Sequence, residues 1–83
     1  MPHRGEELHI MEIDMELYYF IRKLPRGDFA LMAYVVFGKQ LTDFEKDFET
    51  VEEIVIYMLE YQRRHGNQDI YNYVNEKYNY SQR

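Results

Sequence analysis

The 83-residue sequence contains no cysteine and no tryptophan, and it has two prolines and four glycines. Without cysteine the chain has no disulfide framework, no thiolate metal site and no thiol nucleophile, a composition that suits a reducing cytoplasm. The glycines form no phosphate-binding loop, and no nucleophile–base motif is present, so we predict no enzymatic activity and no cofactor. The three histidines lack the spacing of metal ligands, so we predict no metal site.

Long apolar runs are missing as well. The uncharged run 29–37 is far shorter than the about 20 residues that a membrane-spanning helix needs. The first residues carry Arg4, Glu6 and Glu7 without the apolar core of a signal peptide. We therefore expect a cytoplasmic protein that does not enter a membrane. The net charge of −5 also works against binding to nucleic acid or anionic lipid.

What the sequence does contain is helical periodicity. A hydrophobic content of 46% is that of a folded domain. Apolar residues recur at helical spacing in successive segments, separated by short turns. The sequence therefore predicts an all-α fold, a small bundle of four to five short helices. Its domain organisation is predicted as an arm or leader at 1–13, a single helical-bundle domain at 14–80 and a tail at 81–83.

The uncharged run 29–37 is predicted to be the central helix, with Asp28 as its N-cap and Gly38 at its end. Because this run is apolar on all sides, we expect other helices to cover every side of it. On this interpretation Leu31→Asp or Val35→Asp places an unpaired charge in a closed core and unfolds the domain.

Four other helices are expected: three at about 14–23, 43–48 and 51–65, and a last one that follows Asn67, has Asp69 in its first turn and frays after Asn79. Their predicted N-caps are Asp14, Thr42, Thr50 and Asn67. Pro25 should stop the first helix, and the three residues after it should form a tight turn.

Residues 1–13 fit no single structure. Apolar and acidic residues alternate from Met11 to Leu17, as in a half-buried strand, but no partner strand is evident. The segment is either an N-terminal arm, with disorder left open, or an extension of the first helix. A third alternative is that translation starts naturally at Met11 or Met15 and that the preceding residues are a leader.

Two groups of basic residues are candidates for a nucleic-acid or partner patch: Arg22, Lys23 and Arg26, and Arg63 and Arg64. Both lie near helix ends with tyrosines close by, as in sites that bind single-stranded nucleic acid. The alternative is that they complement the negative ends of two helix dipoles, which requires no partner.

Tyrosine is abundant, with nine residues in the chain. In the last helix Tyr73 and Tyr80 should point away from the inner stripe of Ile70 and Val74, which favours a protein interface. An AT-rich genome would enrich tyrosine without any such role. The acidic residues between Asp43 and Glu53 fit either solvated helix starts or a docking surface, and they lack the glycine of a calcium loop.

Several features occur in the order and rough spacing of a known family: Leu17-Tyr18-Tyr19-Phe20, the basic turn from Arg22 to Arg26, Ala33…Phe37, Asp47-Phe48, Tyr57…Leu59-Glu60 and Tyr71…Tyr78-Asn79-Tyr80. From Leu17 onward the chain resembles the YozE-like proteins of low-GC Gram-positive bacteria and their phages. The resemblance implies a sterile-alpha-motif-like helical fold. It implies no activity, because that family has none settled and its fold serves protein-binding and nucleic-acid-binding modules alike.

The sequence thus predicts a non-enzymatic helical binding module of bacterial or phage role, whose partner is another protein. The alternative is a nucleic-acid-binding protein that uses the two basic groups. The oligomeric state is left open.

Overall fold

The computed structural model describes residues 13–82, and within this range the chain is all-α. The five α-helices are α1 (Met15–Arg22), α2 (Arg26–Phe37), α3 (Leu41–Asp47), α4 (Val51–Arg64) and α5 (Asp69–Tyr78). A short 3-10 helix at Tyr80–Gln82 follows α5, where the sequence predicted the start of a tail. The described residues include no strand, so the predicted all-α bundle of four to five short helices is confirmed. Except for Ile13, the predicted arm lies outside the described residues, as does Met11, one of the two alternative translation starts.

Two helices begin at the predicted capping residues. The Oδ1 atom of Asp14 accepts a hydrogen bond of 3.0 Å from the backbone N of Leu17, at the start of α1. At the start of α4, Thr50 Oγ1 accepts from the backbone N of Glu53 at 3.2 Å, and Glu53 Oε1 accepts from the backbone N of Thr50 at 3.1 Å. Such caps satisfy backbone donors that the helix itself cannot. The predicted end of α2 is also confirmed, since Gly38 adopts a left-handed φ of 69°.

The starts of α2 and α3 were predicted wrongly. The three residues after Pro25 form the first turn of α2 rather than a tight turn, because the Pro25 carbonyl accepts the first helical hydrogen bond, from the backbone N of Phe29 at 2.9 Å. Asp28 is therefore not the N-cap but a negative charge within the first turn. Helix α3 begins at Leu41, and Asp43 Oδ2 accepts from the backbone N of Gln40 at 3.3 Å, so Thr42 is not the cap.

The start of α5 is held from a neighbouring helix. The Oε1 atom of Gln62 on α4 accepts hydrogen bonds from the backbone N of Ile70 at 2.8 Å and of Tyr71 at 3.4 Å. The predicted cap, Asn67, accepts instead from the backbone N of Asp69 at 3.2 Å. A side chain of α4 therefore fixes where α5 begins, and the local sequence does not reveal this contact.

One apolar core joins the helices. The main contacts are α1 with α4, α2 with α5 and α3, and α4 with α5. No polar or charged residue is buried among residues 13–82. The largest fully buried side chains are Leu17, Ile21, Met32, Ile54, Val55, Met58, Ile70 and Val74. Ile13, the last residue of the predicted arm, is also buried in this core.

The expectation that α2 is covered on every side is wrong. Its inner face, with Met32 and Ala33, is completely buried, but Leu31, Tyr34 and Val35 are exposed. The physical reason is size: a domain of this length buries about 60% of its unfolded surface, too little to surround a helix. With α3 and α5 as its main neighbours, α2 keeps one side open.

The stability predictions for α2 change accordingly. We expect Leu31→Asp and Val35→Asp to remain folded, losing up to about 1 kcal/mol through the poorer helix propensity of aspartate. Met32→Asp should unfold the domain, because its charge has no partner in the core. Far-UV circular dichroism with thermal melting distinguishes the variants, and loss of helical signal in Leu31→Asp would contradict this placement of the core.

The contact from α4 to α5 predicts that Gln62→Ala lowers the free energy of unfolding by about 1–2 kcal/mol, since two backbone donors lose their acceptor. Gln68→Ala is a suitable control, because Gln68 is the N-cap residue of α5 but makes no side-chain capping bond. Chemical denaturation of both variants measures the difference. Equal effects of the two substitutions would show that Gln62 does not cap α5.

Candidate functional site

The first predicted basic group is largely matched by carboxylates within the bundle. The Nε atom of Arg22 lies 3.4 Å from Glu52 Oε2 on α4. The guanidinium of Arg26 contacts both carboxylate oxygens of Glu45 on α3, and the contact from Nη2 to Oε1 is 2.9 Å long. Lys23 forms no ion pair within residues 13–82. Two of the three cations therefore already have counter-charges.

The second basic group is also paired, and it lies elsewhere. Arg63 Nη2 is 3.4 Å and Arg64 Nε is 3.7 Å from the same oxygen of Glu60. Arg22 contacts Glu52 near the start of α4, whereas Arg63 and Arg64 belong to its last turn. A rise of about 1.5 Å per residue puts roughly 17 Å between these two places along the helix. The structure therefore does not bring the two basic groups together.

The two candidate interface tyrosines are half-buried rather than exposed. The ring of Tyr80 packs edge-on against Phe20, with centroids 5.0 Å apart, and against Tyr71 at 6.0 Å. The hydroxyl of Tyr73 is buried and has no hydrogen-bond partner in the described part of the chain. Both residues thus contribute to packing, and the expectation that they project into solvent is not met.

The largest exposed apolar side chains of α2 form a surface that the sequence did not reveal. Leu31, Tyr34 and Val35 are 42%, 59% and 57% exposed. Their spacing of i, i+3 and i+4 places them side by side on the outer face of the helix. We call these three residues the α2 stripe. No charged residue lies between Asp28 and Lys39, so the stripe lies within an uncharged part of α2 and the nearest charge of the helix is Asp28, one turn before Leu31.

A groove runs beside the stripe, between α2 and α5. Its depression has a volume of about 250 Å³. Val35 and Tyr73 line it together with the carboxyl-bearing residues Asp69 and Glu76. Neither carboxylate forms an ion pair within residues 13–82. We call this depression the α2–α5 groove; its full lining is Val35, Val36, Asp69, Asn72, Tyr73 and Glu76.

The two helices that form the groove are antiparallel. Val35, near the end of α2, shares the groove with Asp69 at the start of α5. At the other end, burial raises the pKa of the Tyr78 phenol, and the charge of Asp28 raises it further, so the start of α2 lies near the end of α5. Asp28 and Val35 are seven residues apart, about two helical turns, so they lie in one row along α2 with Leu31 between them.

Other exposed aromatic residues belong to a packed cluster. Tyr57 lies 5.1 Å from Phe48 and 6.2 Å from Phe44 between ring centroids. Tyr61 lies 5.6 Å from Phe37, and its ring stacks on His65 at 4.0 Å. Each exposed ring is thus the outer edge of an aromatic group. The α2 stripe differs, since Tyr34 has no ring contact of this kind in the described range.

The sequence could not identify the stripe, because apolar residues occupy all sides of α2 and leave no periodic contrast between inside and outside. The signal that could have found it is the size of the domain. A chain this short cannot supply enough helices to enclose a twelve-residue helix.

Neither a cluster of metal-ligating side chains nor a membrane-spanning helix occurs in the described part of the chain. Residues 13–82 contain no group of three or more His, Asp or Glu side chains that could hold a metal ion. None of the described helices has the length and apolar character needed to cross a membrane. An open depression of about 780 Å³ lies between α1 and the final 3-10 helix, lined in part by Tyr19, Lys23 and Tyr80.

A comparison of the chain with protein-family models, curated proteins and solved structures finds no match in any of the three. The resemblance to YozE-like proteins therefore remains an expectation that these comparisons do not test.

The ion pair between Arg26 and Glu45 generates a prediction about pH. Hydrogen bonds from Arg26 hold the pKa of the Glu45 carboxyl below its ordinary value, against a smaller opposing effect of desolvation. A carboxyl whose pKa is lower in the folded state stabilises the fold above its unfolded pKa, and this contribution is lost as the pH falls through the folded pKa. We therefore expect Glu45→Gln to be less stable than the parent chain at neutral pH and equally stable in acid.

Denaturation with urea across this pH range measures the effect. Glu49→Gln is the matched control, because the exposed Glu49 carboxylate has no ion pair in the described range and its removal should leave the pH dependence unchanged. A stability difference for Glu45→Gln that stays constant into acid would contradict the role assigned to the pair.

Proposed function

We propose that this chain is a small, non-enzymatic protein-binding module of the bacterial or phage cytoplasm that docks its partner on the α2 stripe. The single observation that carries the proposal is the exposure of Leu31, Tyr34 and Val35 on one face of a helix, within the uncharged run 29–37. Clustered apolar surface on a small domain marks interaction sites, and tyrosine is enriched where proteins meet.

The chemistry of the face supports this function. Side chains at i, i+3 and i+4 present a rigid row, since their helix is fixed to the core through Met32 and Ala33. A rigid row loses little conformational entropy when a partner covers it. The proposed cytoplasmic location also agrees with the composition, because a cysteine-free chain suits a reducing compartment.

Two features weigh against the alternative, a nucleic-acid-binding protein that uses Arg22, Lys23, Arg26, Arg63 and Arg64. Four of these five cations contact carboxylates, which reduces the charge available to phosphates. The two groups also lie at opposite ends of α4, so one nucleic-acid strand would have to span the bundle. The alternative retains no observation that favours it over protein binding.

Affinity capture from a lysate of the native organism, followed by titration of the purified captured protein, tests the proposal. We expect the parent chain to bind that protein and Leu31→Asp to weaken binding at least tenfold, because a charge replaces an apolar contact. Ile56→Asp is a matched control on α4, since Ile56 has the same exposure as Leu31, 42%.

The control variant should bind like the parent chain. If no protein is captured, or if the two aspartate variants lose affinity equally, the α2 stripe is not the docking surface.

A further inference from the structure

The unpaired carboxylates at the α2–α5 groove indicate what kind of partner would fit it. Asp69 and Glu76 both line the groove and belong to the same row of α5. Seven residues separate them, which corresponds to two helical turns, or about 10 Å. Lys77, the neighbouring cation, lies over the rings of Tyr73 and Tyr78, at 5.8 and 6.0 Å from their centroids. The groove therefore carries two carboxylates that form no ion pair within residues 13–82, beside an apolar row.

The helical backbone that surrounds the groove limits which secondary structure a bound partner segment can have. Peptides that bind in extended form usually add a strand to the edge of a sheet. Residues 13–82 offer no sheet edge, and the groove has two antiparallel helices as its walls. Grooves between helices accept a third helix, which places its own apolar row against them. The described length of α2 and α5, twelve and ten residues, is enough to support a partner helix of about three turns.

From these observations we infer that the α2 stripe and the α2–α5 groove bind a basic amphipathic helix of a partner protein. The inference rests on the proposed protein-binding function. The apolar row of the partner helix packs on Leu31, Tyr34 and Val35. Two lysine or arginine residues about seven positions apart in the partner reach the carboxylates of Asp69 and Glu76. The net charge of the chain, −5, attracts the same partner over a longer range.

A synthetic peptide tests this chemistry directly. The probe is a fluorescently labelled 18-residue amphipathic helix of leucine and lysine, with a leucine–glutamate peptide of the same pattern as its counterpart. Binding to the full chain is measured by fluorescence anisotropy at physiological salt, where long-range attraction is screened. We expect the leucine–lysine peptide to bind and the leucine–glutamate peptide to bind at least tenfold more weakly.

Charge-matched variants locate the binding site. The double variant Asp69→Asn/Glu76→Gln should weaken binding of the leucine–lysine peptide about fivefold, as expected for two partly exposed ion pairs. Asp47→Asn/Glu49→Gln changes the net charge by the same amount on the far side of α3, where both residues are exposed and without ion pairs in the described range. This control should change the affinity by less than about twofold.

Equal effects of the two double variants would overturn the inference, because general attraction between opposite charges would then explain binding. Tighter binding of the leucine–glutamate peptide would also overturn it. A third outcome separates the two proposals. If Leu31→Asp abolishes capture of the native partner while the Asp69/Glu76 variant does not weaken it, the α2 stripe remains the docking surface. The inference that the partner presents a basic helix is then rejected. Analytical sedimentation tests a different occupant. If the parent chain is a dimer and Leu31→Asp dissociates it, a second copy of this chain occupies the α2 stripe and the basic helix is rejected.

Discussion

The structure depends on the burial of one side of a mostly apolar helix, α2, by a chain too short to bury the other side. Met32 and Ala33 of α2 have no exposed surface, and the apolar core is continuous from them to α5 and α3. Removing this much apolar area from water is the dominant favourable contribution to folding. The remaining helices cover other parts of this core, and among them α1 and α4 pack on each other. The α2 stripe stays open because no helix is left to cover it.

Polar contacts determine where the helices begin rather than how stable the bundle is. Asp14 and the pair of Thr50 and Glu53 satisfy backbone donors locally, whereas Gln62 satisfies those of α5 from a neighbouring helix. The ion pairs act in the same way across elements: Arg26 joins the start of α2 to Glu45 on α3. Each exposed ion pair of this kind adds little stability, but it neutralises an arginine that could otherwise bind an anionic partner. The surface that remains uncompensated is consequently acidic, including both carboxylates of the α2–α5 groove.

The sequence predicted the helices well where the signal is local and poorly where it depends on neighbours. The capping box at Thr50 and the glycine at position 38 act within a few residues, and both are confirmed. The starts of α2 and α3 were placed two to three residues late, because Asp28 and Thr42 look like caps but lie inside helical turns. The exposure of Leu31 and Val35 was missed for another reason. A helix that is apolar on all sides carries no information about which side is buried, and that choice is made by the packing of other elements.

The combination of an open apolar row and unpaired carboxylates also has a consequence for selectivity. An exposed apolar face invites self-association, which would compete with any partner. A second copy of this chain would bring another net charge of −5 and another pair of groove carboxylates to the same surface, so like charges would oppose its approach. The same negative charges would attract a basic helix. If the inferred basic helix is the partner, the same two carboxylates favour that helix and disfavour a second copy of this chain.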